Sequence, residues 1–423
     1  MKICFIADGR SPIARNWIRY FLRTSHQVYV ISTYPCEQDT YAQASVQEVT
    51  SSISRRAGNG CASGEAVSKA PGLVSVLASR ARNGRFADLA LTLQHQIERF
   101  EVGRRSARIS ALLGELKPDV VHAMRLPFEG IMAAVADPPA PLLISIWGND
   151  LTLFARRFPA TCRYTLRALQ RTDALHCDCW RDLNLAREFG FDLQKPSLVI
   201  PGNGGIQLET SGQRDVGGSS FRRRFDISDQ AALVCNARGF RFYVRNDTFF
   251  RAAALTIKQR PDAVFAAVGM LGDPMALRWV SSLGIEKNVR LLPALTPADM
   301  ATLMRISQIA VSPSEHDGTP NTLLESMAAG AFPICGDIES VREWITDGVN
   351  GKLRQPSDPE GFAEAILSTL ADARLRASAA ERNWRIVQER AEYSSCMQKA
   401  ERFYESLLSR PEVPTDAFSG TPR

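Results

Sequence analysis

No apolar stretch in the sequence approaches the roughly 20 residues that a membrane-spanning helix requires. The N-terminal apolar run, Ile3-Cys4-Phe5-Ile6-Ala7, stops at Asp8, short of the about 7–15 residues of a signal-peptide core, so no export signal is expected. The nine cysteines, at 4, 36, 61, 162, 177, 179, 235, 335 and 396, are odd in number and share no repeated spacing. They read as reduced thiols in a cytoplasmic protein rather than a disulfide framework. Cys177-Asp178-Cys179 is the one close pair, and it has no second pair or histidine at zinc-site spacing. No Gly-x-Gly-x-x-Gly follows the first apolar run, which argues against an NAD or FAD domain, and no Gly-x4-Gly-Lys-Ser/Thr occurs, which excludes a P-loop. Asp-x-Asp is also absent, so neither a metal nor an organic cofactor is expected. The charge imbalance is small: 51 basic against 45 acidic residues, a net +6. That suits an anionic small ligand or membrane surface and is too weak to indicate nucleic acid.

What is present is an ordinary globular composition, 45 % hydrophobic and 23 % charged over 423 residues, enough for two or three domains. Strand and helix signals alternate. Residues 3–7 form a short apolar run typical of a buried parallel strand, Asp8 to Pro12 is turn-prone, and 13–23 carries apolar residues at helical spacing. Further strand signals lie at 28–31, 119–122, 142–146 and 198–200, and residues 86–116 read as mostly helical. Residues 36–72, rich in Ser, Ala, Gly and Gln, look like a long surface excursion. Gly- and Ser-rich residues 201–220 mark a boundary. The alternation then restarts, with strand signals at 233–236, 264–268, 289–292, 309–312 and 332–335. The expected fold class is α/β with two Rossmann-like domains facing across a cleft. The expected domains are 1–205 and 206–385, with a helix over 386–410 returning to the first domain and a frayed tail at 411–423.

The segment richest in chemistry runs from Ser312 to Gly330. A strand ends at Ser312, a polar loop follows, and a helix begins near Asn321. Free amides at a helix start form an anion site. Asp317 and Glu325, eight residues apart, either reach a polar ligand held there or are a turn residue and a solvated helix residue. After the first strand of the second half, Arg238, Arg241 and Arg245 form either a cationic site or a basic solvated loop. His122, at a strand end, is either packed or functional. Asp150, within Trp147-Gly148-Asn149-Asp150, is either a helix N-cap or a ligand contact. Gly9 stands in the first turn.

Several of these motifs, in order, resemble the family 4 retaining glycosyltransferases of the GT-B superfamily (glycosyl transferases group 1). That family shows two carboxylates separated by seven residues and followed by a small-residue helix; here Asp317…Glu325 precede Ser326-Met327-Ala328-Ala329-Gly330. Val199 to Gly204 resembles its domain-linking strand and turn, and Gly348 to Leu353 its late Asp-Gly-x-x-Gly segment. Arg238 matches its Gly-Arg, and Arg245 stands where it has a Lys. His122-Ala123-Met124 keeps one histidine of its His-x-His, and Trp147-Gly148-Asn149-Asp150 resembles its His-Gly-x-Asp.

The resemblance implies a GT-B fold and retaining transfer of a sugar from a UDP- or GDP-sugar donor to a glycan or lipid-linked acceptor, without metal, in cell-envelope polysaccharide or glycoconjugate synthesis. It implies catalytic roles for Asp317, Arg238, Arg245 and His122, with Asp317 holding sugar hydroxyls on an arm one methylene shorter than the usual Glu. Glu325 would read the donor ribose, the amides of Asn321, Thr322 and Leu323 would receive the diphosphate, and Gly318 would line the donor site. Asp150 and Gly9 would face the acceptor. A GT-B sugar-nucleotide epimerase and an inactive nucleotide-sugar-binding protein are the alternatives. Mixed leucines and arginines over 73–105 suggest either a core-packing helix or an interfacial helix for peripheral membrane contact, beside a lipid-linked acceptor.

Overall fold

A computed structural model describes residues 1–36, 38–50, 85–155, 159–208 and 217–409. Seven strands form the first sheet: β1 (Lys2–Ala7), β2 (Gln27–Ser32), β3 (Ser45–Glu48), β4 (Val120–Ala123), β5 (Leu142–Ile146), β6 (Ala174–Cys177) and β7 (Ser197–Val199). Their order is β3-β2-β1-β4-β5-β6-β7, with every pairing parallel. Six strands form the second: β8 (Ala232–Asn236), β9 (Ala263–Ala267), β10 (Val289–Leu291), β11 (Ile309–Ser312), β12 (Phe332–Gly336) and β13 (Lys352–Arg354). Their order is β10-β9-β8-β11-β12-β13, again all parallel. This is the expected α/β class with two Rossmann-like units. Central strands are buried on both faces, so they read as near-continuous apolar runs: β5 (LLISI) and β9 (AVFAA) are buried at every position.

Edge strands differ. β3, SVQE, has three exposed positions and one half-buried valine, so it carries little apolar signal and lies inside the segment expected to be a surface excursion. The expected excursion is therefore interrupted at its start by a sheet edge; residues 51–72 lie outside the described residues. So do 73–84 of the expected interfacial stretch. Within the helix Arg85–Leu116, Arg105 turns its guanidinium onto the carbonyls of Thr33 and Val49, at 3.4 and 3.3 Å. That arginine works inside the fold. Among the described residues, no helix is long and apolar enough to cross a membrane.

In each sheet the chain order reverses once, between β1 and β4 and between β8 and β11. At such a switch point the loops leaving the strand ends diverge and open a crevice for ligand. The loops after β8 and β11, residues 237–245 and 313–320, carry Arg238, Arg245 and Asp317.

Two C-terminal helices tie the domains together. Ala373–Ala391 buries Val387 and Ala391 in one cluster with Leu323, Leu324 and Met327 of the second domain. Tyr393–Leu408 buries Cys396, Met397, Ala400, Tyr404 and Leu407 against Phe5, Trp17, Ile18 and Phe21 of the first. Where the chain passes between these helices it pairs with Ile206: Ile206 N donates to Ala391 O at 2.7 Å and Tyr393 N to Ile206 O at 3.0 Å. Gly204 and Gly205 precede that crossing with φ of +85° and +104°. Side chains there would collide with Met397 and with the Ala391 carbonyl, so glycine is required by both conformation and space.

The docked helix also completes a buried hydrogen-bond chain. His176 Nε2 faces the Ile200 carbonyl at 3.1 Å, which can only accept, so Nε2 carries the proton and Nδ1 accepts from the Ser145 hydroxyl at 2.8 Å. Ser145 Oγ then accepts from His122 Nε2 at 2.7 Å, and His122 Nδ1 accepts from Tyr404, whose oxygen accepts from Trp17 Nε1 at 3.0 Å. One proton arrangement satisfies the whole chain with both histidines neutral. Burial pushes them the same way: His176 falls to about 4 and His122 well below its ordinary value.

Tyr404→Phe removes the hydroxyl that serves His122 Nδ1 and Trp17 Nε1. It should destabilise the protein by about 1–3 kcal/mol, the cost of leaving buried polar groups unpaired. A urea titration followed by tryptophan fluorescence should show a lower midpoint at unchanged slope; an unchanged midpoint would show that the chain contributes nothing.

Candidate active site

The second domain's crevice is built from its loops upward. The buried Asn236 ends β8: its Oδ1 accepts from Arg238 N at 2.9 Å and its Nδ2 donates to Asn246 Oδ1 at 3.1 Å. Backbone bonds clip this loop to the one after β11, Arg245 N to Pro313 O and Glu315 N to Tyr243 O, both at 2.9 Å. The clipped loops aim Arg238 across the crevice, where it pairs with Asp317 and donates to Thr322 Oγ1 at 3.4 Å. Both partners of the ion pair are largely buried, their side chains 9 % and 13 % exposed. A buried pair of this kind is strongly destabilised by removal of one member.

Thr322 opens the helix Asn321–Ala329, whose N-cap is Pro320 and whose first turn has no side-chain cap. The Leu323 amide already donates to the Pro320 carbonyl at 2.9 Å, so the Asn321 and Thr322 amides, with the positive dipole end, are what the helix start offers an anion. Glu325 lies one turn inside. Burial pushes its carboxyl up to about 7, with Arg238 pulling the other way. Burial also raises Asp317, against Arg238, Arg241 and Arg181. Arg238, Asp317, Thr322 and Glu325 therefore form one electrostatic unit at an uncapped helix start.

Arg245 stands apart. Its guanidinium is held by Asp247 through two bonds of 2.9 Å and by Glu315 at 3.1 Å, so an anionic ligand would compete with two carboxylates for it.

On the first domain's side, the expected contacts divide differently. Asp150 is fully buried, with Oδ1 accepting from Arg125 Nε at 3.1 Å and Oδ2 from Trp147 N at 3.0 Å. Burial raises it to about 6. Asp150 is thus a support whose oxygens are both occupied, and the partly exposed group is Arg125, 31 % exposed and within 5.4–5.8 Å of the Phe128, Trp147 and Phe154 rings. His122 does not join the site: it is fully buried and both ring nitrogens are bonded inside the core, which removes it from acid–base work at the cleft. Gly9 is buried at the turn after β1, where its amide donates to Ser32 Oγ at 3.1 Å and its carbonyl accepts from Tyr41; no contact joins it to the other candidates.

The two domains meet at Gly318. A Cβ on Gly148 would overlap the Gly318 amide, and one on Gly318 would overlap the Asp178 carboxylate. Among the described residues, three buried side-chain polar atoms near this seam, Trp147 Nε1, Asn149 Oδ1 and Arg238 Nε, lack a partner, and two buried carboxyls, Asp178 and Asp182, face each other, with burial and Asp182 raising Asp178 well above the usual carboxylate range. Buried polar groups are normally satisfied, so their concentration here marks a place built for more than packing. Asp178, Cys179 and Asp182 are close enough to converge on one ion, but Arg181 already neutralises Asp182 with bonds of 3.0 and 2.5 Å. No sequence motif points to Arg125 or Arg181, because the partners that place them here, Asp150 and Asp317, lie 25 and 136 residues away in the chain.

Because Arg238 is the cation that opposes burial at Glu325, Arg238→Gln should move the Glu325 carboxyl up from about 7. Carboxyl-carbon NMR titration of parent and variant checks this, and an unchanged or lowered midpoint would break the electrostatic unit described above.

Residues 219–384 match the family model "Glycosyl transferases group 1". A D-inositol 3-phosphate glycosyltransferase of Geodermatophilus obscurus is 27 % identical over 209 residues, 47 % of this chain and 45 % of that protein. The phosphatidyl-myo-inositol mannosyltransferase of Mycolicibacterium smegmatis is 32 % identical over 120 residues, 28 % of this chain and 30 % of that one. The chain thus spans less than half the length of the curated relatives it matches. Over the whole chain the fold is similar to that of Anabaena Alr3699/HepE, solved in complex with UDP, with a TM-score of 0.71 at 16 % identity over 96 % of this chain and 100 % of that one. It is similar also to sucrose-phosphate synthase of Thermosynechococcus elongatus, with a TM-score of 0.70 at 13 % identity over 96 % and 99 %. The chain has the GT-B fold, and its residues 219–384 are similar to the glycosyl transferases group 1.

Proposed function

We propose that the protein transfers a sugar from a UDP- or GDP-sugar to a glycan or lipid-linked acceptor with retention of anomeric configuration and without a metal. The observation that carries this reading is Arg238, shared among Asp317, Thr322 and the field of Glu325 at an uncapped helix start. Anabaena HepE, of the same fold, has been solved with UDP-glucose, which supports a nucleotide-sugar donor.

In this reading the diphosphate lies on the Asn321 and Thr322 amides, with the Leu323 amide shared with the Pro320 carbonyl, and there the helix dipole and Arg238 stabilise the charge left on the departing oxygen. Glu325 accepts from the ribose hydroxyls, Asp317 from the sugar, and Gly318, which leaves room only for the Asp178 carboxylate, lines the donor site. The bond between the anomeric carbon and the phosphate oxygen breaks, and the acceptor oxygen bonds to that carbon on the same face. The acceptor proton passes to the departing phosphate oxygen. Arg125, braced by Asp150 and flanked by aromatic rings, borders the acceptor side. Catalysis is then positional and electrostatic.

A thermal-shift screen of UDP-, GDP- and ADP-sugars, followed by nucleotide release in the presence of acceptor glycans, tests the reading. A bound donor well above its dissociation constant should stabilise the protein by a few kcal/mol; failure of every nucleotide sugar to bind or turn over would refute it. The division of roles is tested by two variants. Glu325→Ala should weaken free nucleoside diphosphate and nucleotide sugar alike. Asp317→Ala frees Arg238 for phosphate, so it should keep free-nucleotide affinity while abolishing transfer. Equal effects of both variants on free-nucleotide affinity, measured by calorimetry, would contradict the assignment.

A further inference from the structure

Arg181, on the first turn of the helix Trp180–Glu188 in the N-terminal domain, is the side chain that touches both loops at the seam. Its Nη1 donates to the backbone carbonyl of Asp317 at 2.6 Å and its Nη2 to that of Gly148 at 2.7 Å. Asp182 Oδ1 fixes the guanidinium through Nε and Nη2, and the residue is 6 % exposed. The Asp317 carbonyl has a second donor in its own domain, Ser340 Oγ at 2.8 Å. The turn that carries the candidate sugar-reading carboxylate is therefore held jointly by the two domains.

Two further residues of the C-terminal domain, Glu343 and Thr319, bond across the seam close to this one. Glu343 of the C-terminal domain caps the helix that carries Arg181, accepting from the Trp180 and Arg181 amides at 2.9 Å each. Thr319 Oγ1 donates to the Asp178 carbonyl at 2.5 Å, and Trp344 Nε1 donates to the same hydroxyl at 3.1 Å. These contacts hold the domains together. Arg181 alone among them reaches Asp317. A guanidinium suits this task because its planar fork presents several donors in fixed directions, whereas an ammonium offers one point.

We propose that Arg181 is a positioning residue that makes the placement of the Asp317–Gly318 turn depend on closure of the N-terminal domain. This inference rests on the glycosyl-transfer reading for its chemical consequence, though not for its geometry. Arg238, Thr322 and Glu325 all belong to the C-terminal domain, and none is bonded to Arg181. A nucleoside diphosphate should therefore bind without Arg181, whereas the sugar is presented correctly only when the fork is seated on the Asp317 carbonyl. Closure and sugar placement become one event, which keeps an open, water-filled cleft from exposing a fully aligned donor.

Removing Arg181 alone would leave Asp182 buried and unpaired, so the test uses Arg181→Lys and the neutral pair Arg181→Gln with Asp182→Asn. UDP affinity is measured by calorimetry, KM and kcat for the nucleotide sugar that the parent turns over, and the radius of gyration by X-ray scattering at saturating UDP. The expected result is UDP affinity within twofold of the parent, kcat at least a hundredfold lower in the double variant with a smaller loss in the lysine variant, and a larger radius of gyration in both. An unchanged radius of gyration in both variants, or a fall in UDP affinity parallel to the fall in kcat, would overturn the proposal. If the parent turned over no nucleotide sugar, the transfer reading would fail by itself, while affinity and scattering would still decide the role of Arg181.

Discussion

The backbone approach of Gly148 to Gly318 is the constraint on which the rest of the architecture depends. The two sheets can face each other across a shared crevice only if some pair of loops comes close enough to exchange hydrogen bonds. A side chain at either glycine would hold those loops apart. Once they meet, Arg181, Thr319 and Glu343 come within bonding distance across the seam, and the loop that presents Asp317 has little freedom left. The return of the C-terminal helix to the first domain works toward the same end, because it anchors the far side of the molecule through Tyr404 and Glu401. Glu401 accepts from Tyr20 at 2.7 Å and bonds His26 at 2.8 Å.

Charge burial gives the crevice its chemical character. Arg238 and Asp317 are taken largely out of water, a state tolerated because each partners the other and backbone amides shape the loops around them. Field effects are stronger in such a setting than in water. An arriving diphosphate would meet a preformed helix start, a fixed guanidinium and a carboxyl at Glu325 near its titration point. The N-terminal domain supplies a different surface, with Arg125 held by a buried carboxylate and bordered by three aromatic rings. That asymmetry between the domains is what the proposed division between donor and acceptor requires.

Much of the fold is legible in the sequence because parallel strands buried on both faces must be apolar. Runs such as those at 142–146 and 309–312 coincide with β5 and β11. The edge strands β3 and β13 are not legible, since SVQE and KLR carry no apolar run; nor does the expected strand set include β6, whose ALHC includes a histidine bonded deep in the core. In the second domain's crevice, Arg238, Asp317, Thr322 and Glu325 are visible because loop, helix start and carboxylate spacing lie within short stretches. His122 and Asp150 look the same in sequence whether they face a cleft or a core. Their environments are set by Tyr404, 282 residues away, and by Arg125, 25 residues away. Arg181 is invisible for the same reason, as its partner Asp317 lies 136 residues further along the chain.

A nucleotide bound as proposed lies at the second domain's switch point. Amide hydrogen exchange of the full chain, with and without saturating UDP, tests this most directly. Exchange should slow over 237–246 and 313–325, with strands β1 to β5 of the first domain unchanged. Binding accompanied by protection confined to the first domain, or by none over 313–325, would contradict this placement.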